Sequence, residues 1–399
     1  MVEIKTFLNG YNTVARCKRG QVSKIGGWVG CTPHPTPNFR PHLTRMSGSK
    51  QTDKVSCVQL DANDHEQVAK WMRLVQAVVV LLPRAFRSPM ARLAVENGIH
   101  FVDASYAHPD YKHLHGPASE KGIAILPEFG LDPGIDHVLA AKALAEFDEV
   151  HEFHSYGAGI PEPAAANNPL RYKISWTFAG VLNSYRRSGV VWREGQPQHI
   201  SPSELFDPAN VHLIDVEGFG PLEAYPNGDV VKYLEMLGIA GQVKNAGRYT
   251  ARWPGHTEFW GRLNALGFLD DDPITVGGQR VSPRQFLHDL LVPQLQYGED
   301  ERDAVIIRVD VSGLVNGQRK RIVYQMVDYR DLSTGLLAMQ RTVGYTAAIG
   351  AQMILRGDIQ KRGLLSPLTD VPFEIFLDEL TQRGIRVTTP SKDAGLREQ

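Results

Sequence analysis

From residue 4 to residue 52 the chain contains no aspartate and no glutamate, although eight of those positions are lysine or arginine. Elsewhere acids are plentiful: 44 in the 399-residue chain against 43 Lys+Arg, for a formal net charge of −1. So even a balance provides no global field to draw in nucleic acid or an anionic membrane. The basic block itself carries only scattered aromatics, not the interleaved pattern of a nucleic-acid surface. Cysteine is scarce. Cys17, Cys31 and Cys57 are odd in number and spaced unlike a disulfide framework or a zinc site, which suits a reducing cytosol. No apolar run approaches the roughly 18 residues of a membrane-spanning helix, and the stretch after Met1 has no apolar core of a secretory signal. A soluble, cytoplasmic protein with no nucleic-acid and no membrane partner is expected. His137 and His256 stand alone, and no Cys/His/Asp cluster has ligand spacing, so no metal site is expected.

One further absence matters more. A dinucleotide-binding domain opens with a strand, G-x-G-x-x-G and a helix, and an acid comes about 20 residues on. Gly20, Gly26, Gly27 and Gly30 lie in the right region without that spacing, and no acid appears before Asp53. Four prolines between Cys31 and Pro41 exclude a helix or a central strand there. The block is foreign in composition to the rest of the chain. Either it is a solvated basic arm, or residues of about 5 to 52 are translated in a different frame from the ancestral sequence. A strand–G-x-G-x-x-G–helix pattern in either of the other two frames of the coding DNA separates these readings.

Ordered patterning begins near residue 55. Residues 55–60 read as a strand, and 64–74 as an amphipathic helix capped by Asp64. AVVVLL at 77–82 is the β-branched run of a strand buried on both faces, stopped by Pro83. A helix over 88–97 with Gly98 at its C′ position, a strand over 99–102 and a helix over 111–120 continue the alternation. Then comes the stretch on which the chain is organised: a short strand at 123–126, the breaker-rich loop PEFGLDPG at 127–134, and a helix capped by Asp136. A carboxylate and a helix start thus come directly after a strand, where open α/β sheets bind ligands. Alternation to this point predicts a doubly wound parallel sheet. Beyond it lie a strand at 150–156, a helix at 282–291 begun by Pro283, and antiparallel strands at 303–311 and 318–329. Helices at 342–355 and 370–383 and a short strand at 385–388 complete the pattern.

Ser105-Tyr106, EFGLDPGIDH at 128–137, PEP…NNPLRYKISW at 161–176 and AYPN-x-D at 224–229 together resemble the saccharopine dehydrogenase family, most closely its glutamate-forming saccharopine reductases. RVSPR at 280–284 and GYTAAIGAQMILRGDIQKRGLLSP at 344–367 are more similar to the lysine 6-dehydrogenase branch. The likeness covers about residues 55 to 385.

The resemblance implies an α/β protein: a Rossmann-like parallel-sheet domain (1–133, anomalous over 5–52), an α+β substrate and dimerisation domain with a mixed sheet (134–338), and C-terminal helices (339–390) returning to the first domain. It implies a homodimer using NADP or NAD to oxidise a small-molecule amino-acid substrate in lysine degradation, the cofactor carrying the hydride chemistry. By match, Tyr106 and Asp132 would be catalytic. Ser105, Tyr106, Lys173, Thr250 and Arg252 would touch substrate, with Arg252 able to clamp a carboxylate. Leu82, Pro83, Ser105, Leu131, Asp132 and Pro133 would touch cofactor. Two departures stand out: Gly157 replaces the family's cysteine, and Gly228 an arginine able to hold a substrate carboxylate. Three functional readings result: saccharopine oxidation to glutamate and aminoadipate semialdehyde, lysine 6-dehydrogenation, or a non-catalytic relative lacking a working phosphate-binding loop.

Overall fold

The computed structural model describes residues 4–8, 12–13 and 58–389. They form two compact units. One runs through Ala141 and resumes over Gln340–Arg386; the other comprises Lys142–Met339 and continues from Val387. Most of the acid-free block lies outside the described residues, and with it the missing phosphate loop.

The first unit is built on a five-stranded parallel sheet. Ile4–Leu8 pairs with Ala77–Leu81, and His100–Asp103, Ala124–Leu126 and Gly363–Leu364 then lie side by side. Four strands in chain order from one side make half of a doubly wound sheet, and the fifth comes from residue 363. Val78, Val80, Phe101 and Ile125 meet Met90, Ala91 and Tyr111 of the flanking helices in one apolar core. Helix His65–Met72 starts where expected, with the Asp64 carboxylate accepting from the Gln67 N–H at 3.0 Å. Helix Arg84–Glu96 starts four residues before the expected position, because Pro89 lies inside it rather than at its first turn. Of the strand expected at 55–60, Gln59–Leu60 is described. It pairs with Asn12–Thr13 in a separate two-stranded sheet, not in the parallel one.

Asp136 is not the N-cap that the sequence suggests. The helix runs Ile135–Leu144, and Asp136 in its first turn reaches back to accept the Gly134 N–H at 2.7 Å. The loop before it folds on itself: the Gly130 N–H donates to Pro133 O at 2.9 Å, and the Ile135 N–H to Gly130 O at 3.1 Å. Asp132–Pro133 is cis. A Cβ on Gly134 would stand 2.1 Å from Gly130 O, so only glycine fits.

The second unit carries a nine-stranded mixed sheet. Its axis is a pair of 13-residue antiparallel strands, Glu149–Pro161 and Asp303–Val315. The first outruns its expected end at residue 156. Asp303–Val315 turns through Asn316 (φ 50) and Gly317 (φ 73) into Gln318–Tyr329, a two-residue turn whose left-handed positions suit those residues. Asn245–Arg252 adds to Glu149–Pro161 in parallel, which makes the sheet mixed. Helices Phe178–Ser184, His256–Ala265 and Pro283–Leu291 contribute to an aromatic core around Tyr185 and Trp260. The helix expected at 370–383 runs Phe373–Gln382 with Pro372 at its N-cap position, and a separate short helix, Pro367–Asp370, precedes it. Among the described residues no helix is long and apolar enough to cross a membrane, and no group of His, Cys, Asp or Glu could hold a metal ion.

Candidate active site

In the first unit the site residues collect at the carboxyl edge of the parallel sheet. His100–Asp103 runs out into Ser105 and Tyr106, both half-buried, and Ala124–Leu126 into the folded loop that presents Asp132. These two loops meet. The Tyr106 hydroxyl lies 3.4 Å from Asp132 Oδ1, the Glu128 N–H donates to Ser105 O and the Phe129 N–H to Asp103 O, both at 3.0 Å. Glu128 adopts φ 57, a left-handed conformation costly for a non-glycine residue, while its carboxylate accepts the Ala107 N–H at 3.3 Å. Tyr106 and Asp132, predicted as partners in chemistry, are therefore side by side. Of the residues matched to the cofactor, Pro83, Ser105 and Asp132 keep surface available, whereas Leu82, Leu131 and Pro133 are buried as the walls that shape it. This edge, at the carboxyl ends of parallel strands, is where open α/β sheets bind ligands. The segment that would hold a dinucleotide's phosphates lies outside the described residues.

In the second unit Arg248, Thr250 and Arg252 alternate on one face of Asn245–Arg252, beside Ser155 and Gly157 of the neighbouring strand. Arg252 is only 9% exposed. Its Nη1 donates to Ala251 O at 2.9 Å, its Nε–H has no partner, and its guanidinium lies 5.6 Å from the Tyr172 ring. Around it stand Tyr172, Tyr185 and Tyr225, whose phenols burial pushes upward, to about 12 for Tyr172, so they stay neutral. The Thr250 hydroxyl bonds to Tyr225. Burial, then the Arg252 charge, hold His256 well below the usual imidazole range, and its neutral ring meets the Tyr185 hydroxyl at 2.9 Å. Among the described residues no carboxylate pairs with Arg252. A buried cation without an anion is costly unless a ligand supplies one.

Lys173 differs from expectation in its surroundings. It is buried, and its ammonium is bonded to the Glu301 carboxylate. Glu301 is held low, at about 2, by the Gly298 N–H and then by Lys173. Lys173 thus braces the NNPLRYKISW loop, which Asn168 also ties down through the N–H groups of Leu170 and Tyr172. Asp103, Arg87 and the three tyrosines are features of these sites that sequence reasoning did not single out. The one available signal was the position of Asp103 at a strand's carboxyl end, two residues before Ser105.

Residues 40–126 match the saccharopine dehydrogenase NADP binding domain, and residues 130–385 the saccharopine dehydrogenase C-terminal domain. The chain is 28% identical over 407 residues to the NADP(+), L-glutamate-forming saccharopine dehydrogenase of Saccharomyces cerevisiae, a match covering 86% of this chain and 88% of that one. It is 29% identical over 408 residues to the alpha-aminoadipic semialdehyde synthase of Arabidopsis thaliana, covering 84% of this chain but only 38% of the plant protein. Against the mouse mitochondrial protein of the same name the identity is 28% over 392 residues, covering 82% of this chain and 42% of the other. The chain therefore spans about two fifths of the length of those synthases. Among solved structures, the apo histidine-tagged L-Glu-forming saccharopine dehydrogenase from Saccharomyces cerevisiae superposes with a TM-score of 0.74 at 26% identity, covering 84% of this chain and 89% of that one. With 256 consecutive positions, 130 to 385, fitting one family description and the preceding stretch fitting its companion, the chain belongs to the saccharopine dehydrogenase family.

Proposed function

We propose that this protein is a nicotinamide-dependent oxidoreductase of lysine degradation that oxidises a carbon–nitrogen bond of an amino-acid substrate, in the manner of saccharopine dehydrogenase. The observation that carries the reading is Arg252: a buried guanidinium ringed by neutral phenols, with no acid of its own among the described residues. Such a group takes a carboxylate, and every member of this substrate class has one. NADP or NAD, when bound, supplies the hydride acceptor. The chain's own residues do the rest. Ser105, Tyr106 and Asp132 line the cofactor-bearing edge, with the Tyr106 hydroxyl and Asp132 carboxylate placed to orient the reacting nitrogen and pass its proton. Thr250 and Arg252 hold substrate, and Lys173 fixes the loop beside them. A cytoplasmic homodimer belongs to the same proposal.

Lysine 6-dehydrogenation is the rival, favoured by Gly228, where an arginine able to hold the larger substrate's carboxylate is lacking, and by Gly157 in place of the family's cysteine. Purified protein is assayed with saccharopine and with lysine, following cofactor reduction with NADP and with NAD. Turnover of saccharopine is expected, and turnover of lysine alone transfers the assignment to the rival. Thermal stabilisation by dinucleotide checks cofactor binding directly, since a ligand at 100 times its dissociation constant adds about 2.7 kcal/mol. Stabilisation by neither dinucleotide, with no turnover, would leave the non-catalytic reading.

A further inference from the structure

We propose that Asp103 and Arg87 are positioning residues: an internal charge pair that sets the turn carrying Ser105 and Tyr106 against cofactor and substrate. This rests on the proposed function of that turn.

Asp103 closes the strand His100–Asp103 and is fully buried. One of its oxygens accepts the Ser105 N–H at 3.0 Å; the other accepts the Tyr111 hydroxyl at 2.8 Å and lies 3.5 Å from Arg87 Nη1. That same Arg87 nitrogen donates to Tyr106 O at 3.3 Å. The pair therefore grips both ends of the turn, the amide that enters it and the carbonyl that leaves it. From the other side, Glu128 and Phe129 tie the turn to the Asp132 loop, and a Cβ on Gly130 would stand 2.7 Å from Ala104 O. The backbone is thus fixed from two directions.

A buried ion pair is weak ground for stability, since apolar side chains of similar volume serve as well. What the charge adds is aim: Arg87 reaches Tyr106 O only while its guanidinium is held by Asp103. Burial raises Asp103 to about 6, with Arg87 the largest opposing influence. The titratable and charged groups facing it are Arg87 from helix Arg84–Glu96 and Tyr111 from helix Tyr111–Glu120. The Tyr111 phenol is pushed far above its usual range by burial and then by Asp103 itself. As pH falls through about 6, the carboxyl takes up its proton and lets Arg87 go.

Hydrogen exchange of the amides at 104–107 in the full-length protein, corrected for intrinsic rate, tests the pair without any substrate. When the turn opens locally Asp103 stays buried and loses Arg87, so the open form holds the proton more tightly than the closed one, and the wild-type turn is expected to loosen as pH falls from 8 to 5, with its midpoint near 6. Asp103→Asn keeps an acceptor for the Ser105 N–H but removes the charge; its turn should exchange about tenfold faster than wild type at pH 8 and converge with it by pH 5, while the rest of the first unit stays protected. Arg87→Gln should do the same, and serves if Asp103→Asn fails to fold. In turnover, both variants should raise KM for the dinucleotide about tenfold with a smaller change in kcat, and Asp103→Asn should lose the acid limb near pH 6. Exchange at 104–107 that is independent of pH in the wild type, or unchanged in a folded variant, overturns the inference. Lack of turnover by the wild type with either amine sinks the functional reading instead, and leaves the exchange result to decide this one.

Discussion

Arg87 and Arg252 are equally hidden, at 8% and 9% exposure, yet their surroundings differ in kind. Arg87 has Asp103 within 3.5 Å, and its charge is answered inside the first unit. Arg252 has neutral phenols, a neutral imidazole and one backbone carbonyl. A third arginine shows that the second unit is able to neutralise such a group: Arg308 donates to Asp310 at 3.1 Å, and Arg321 binds the same carboxylate twice, at 2.7 and 2.6 Å. On that sheet, then, Arg308 is answered by a carboxylate and Arg252 is not. A buried charge paired by the chain holds the scaffold; the unpaired one is the group we propose receives a substrate carboxylate.

The contrast breaks most sharply at Arg252. Arg252→Met should lower kcat/KM by about 30-fold to several thousand-fold, the 2–5 kcal/mol lost when a buried charge pair with a ligand is cut. Its Tm should change little, because no charged partner in the fold is stranded and only neutral groups lose a donor. A large fall in Tm with turnover intact would make Arg252 structural and dissolve the comparison. The converse experiment is Asp310→Ala. It strands Arg308, whose side chain is 8% exposed, and should cost about 3–5 kcal/mol in urea unfolding while leaving substrate selectivity unchanged.

Acid sharpens the comparison between the units. His212, whose Nε2 lies 3.1 Å from the Tyr156 hydroxyl, is lowered to about 4 by burial and then by His154 and Arg193. The unfolded chain binds that proton from about pH 6.5 and the fold only near 4, so this stabilisation is complete above 6.5 and is lost as pH falls through the window. Asp103, raised to about 6, runs the other way: the fold binds its proton first, and its contribution is present at low pH and lost as pH rises through 6. Thermal unfolding between pH 6.5 and 4 should therefore be less pH-dependent in His212→Gln than in the parent; an unchanged slope would remove His212 from the account. The smallest effect touches neither arginine. Asp64→Ala removes the acceptor of the Gln67 N–H and should cost about 1 kcal/mol, read from urea midpoints.

Local signals were legible wherever a residue's own chemistry decides the outcome. Asp64 caps its helix, Gly98 closes one at φ 71, and helix Tyr111–Glu120 and strand Gln318–Tyr329 fall where their patterns put them. The family motifs drew attention to Tyr106 and Asp132 separately; that the two are adjacent came from the structure. The strand Asn245–Arg252 escaped notice although RYTAR alternates polar and apolar residues, because the alternation spans only five residues and follows Asn and Gly, which read as a turn. Both of its faces are covered, one by Tyr156 stacked on Tyr249 at 5.2 Å, the other by the tyrosines around Arg252. Arg248 and Arg252, on the polar side of the alternation, are therefore buried as well. Gly247 looks like a strand breaker, yet a Cβ there would stand 2.2 Å from the Tyr249 hydroxyl oxygen, so its smallness makes room for that ring.

The sequence by itself determined the alternating first unit, the bend at 127–134 and the family, because caps, breakers and motif spacing act over a few residues. Only the tertiary structure decided which charges are answered. Arg87 and Asp103 are separated by 15 intervening residues, and the phenols around Arg252 come from Tyr172, Tyr185 and Tyr225 on three different segments. Whether a guanidinium finds an anion or a ring of neutral hydroxyls depends on groups distant in the chain, and burial, which sets the cost of leaving it alone, exists only once the chain has folded.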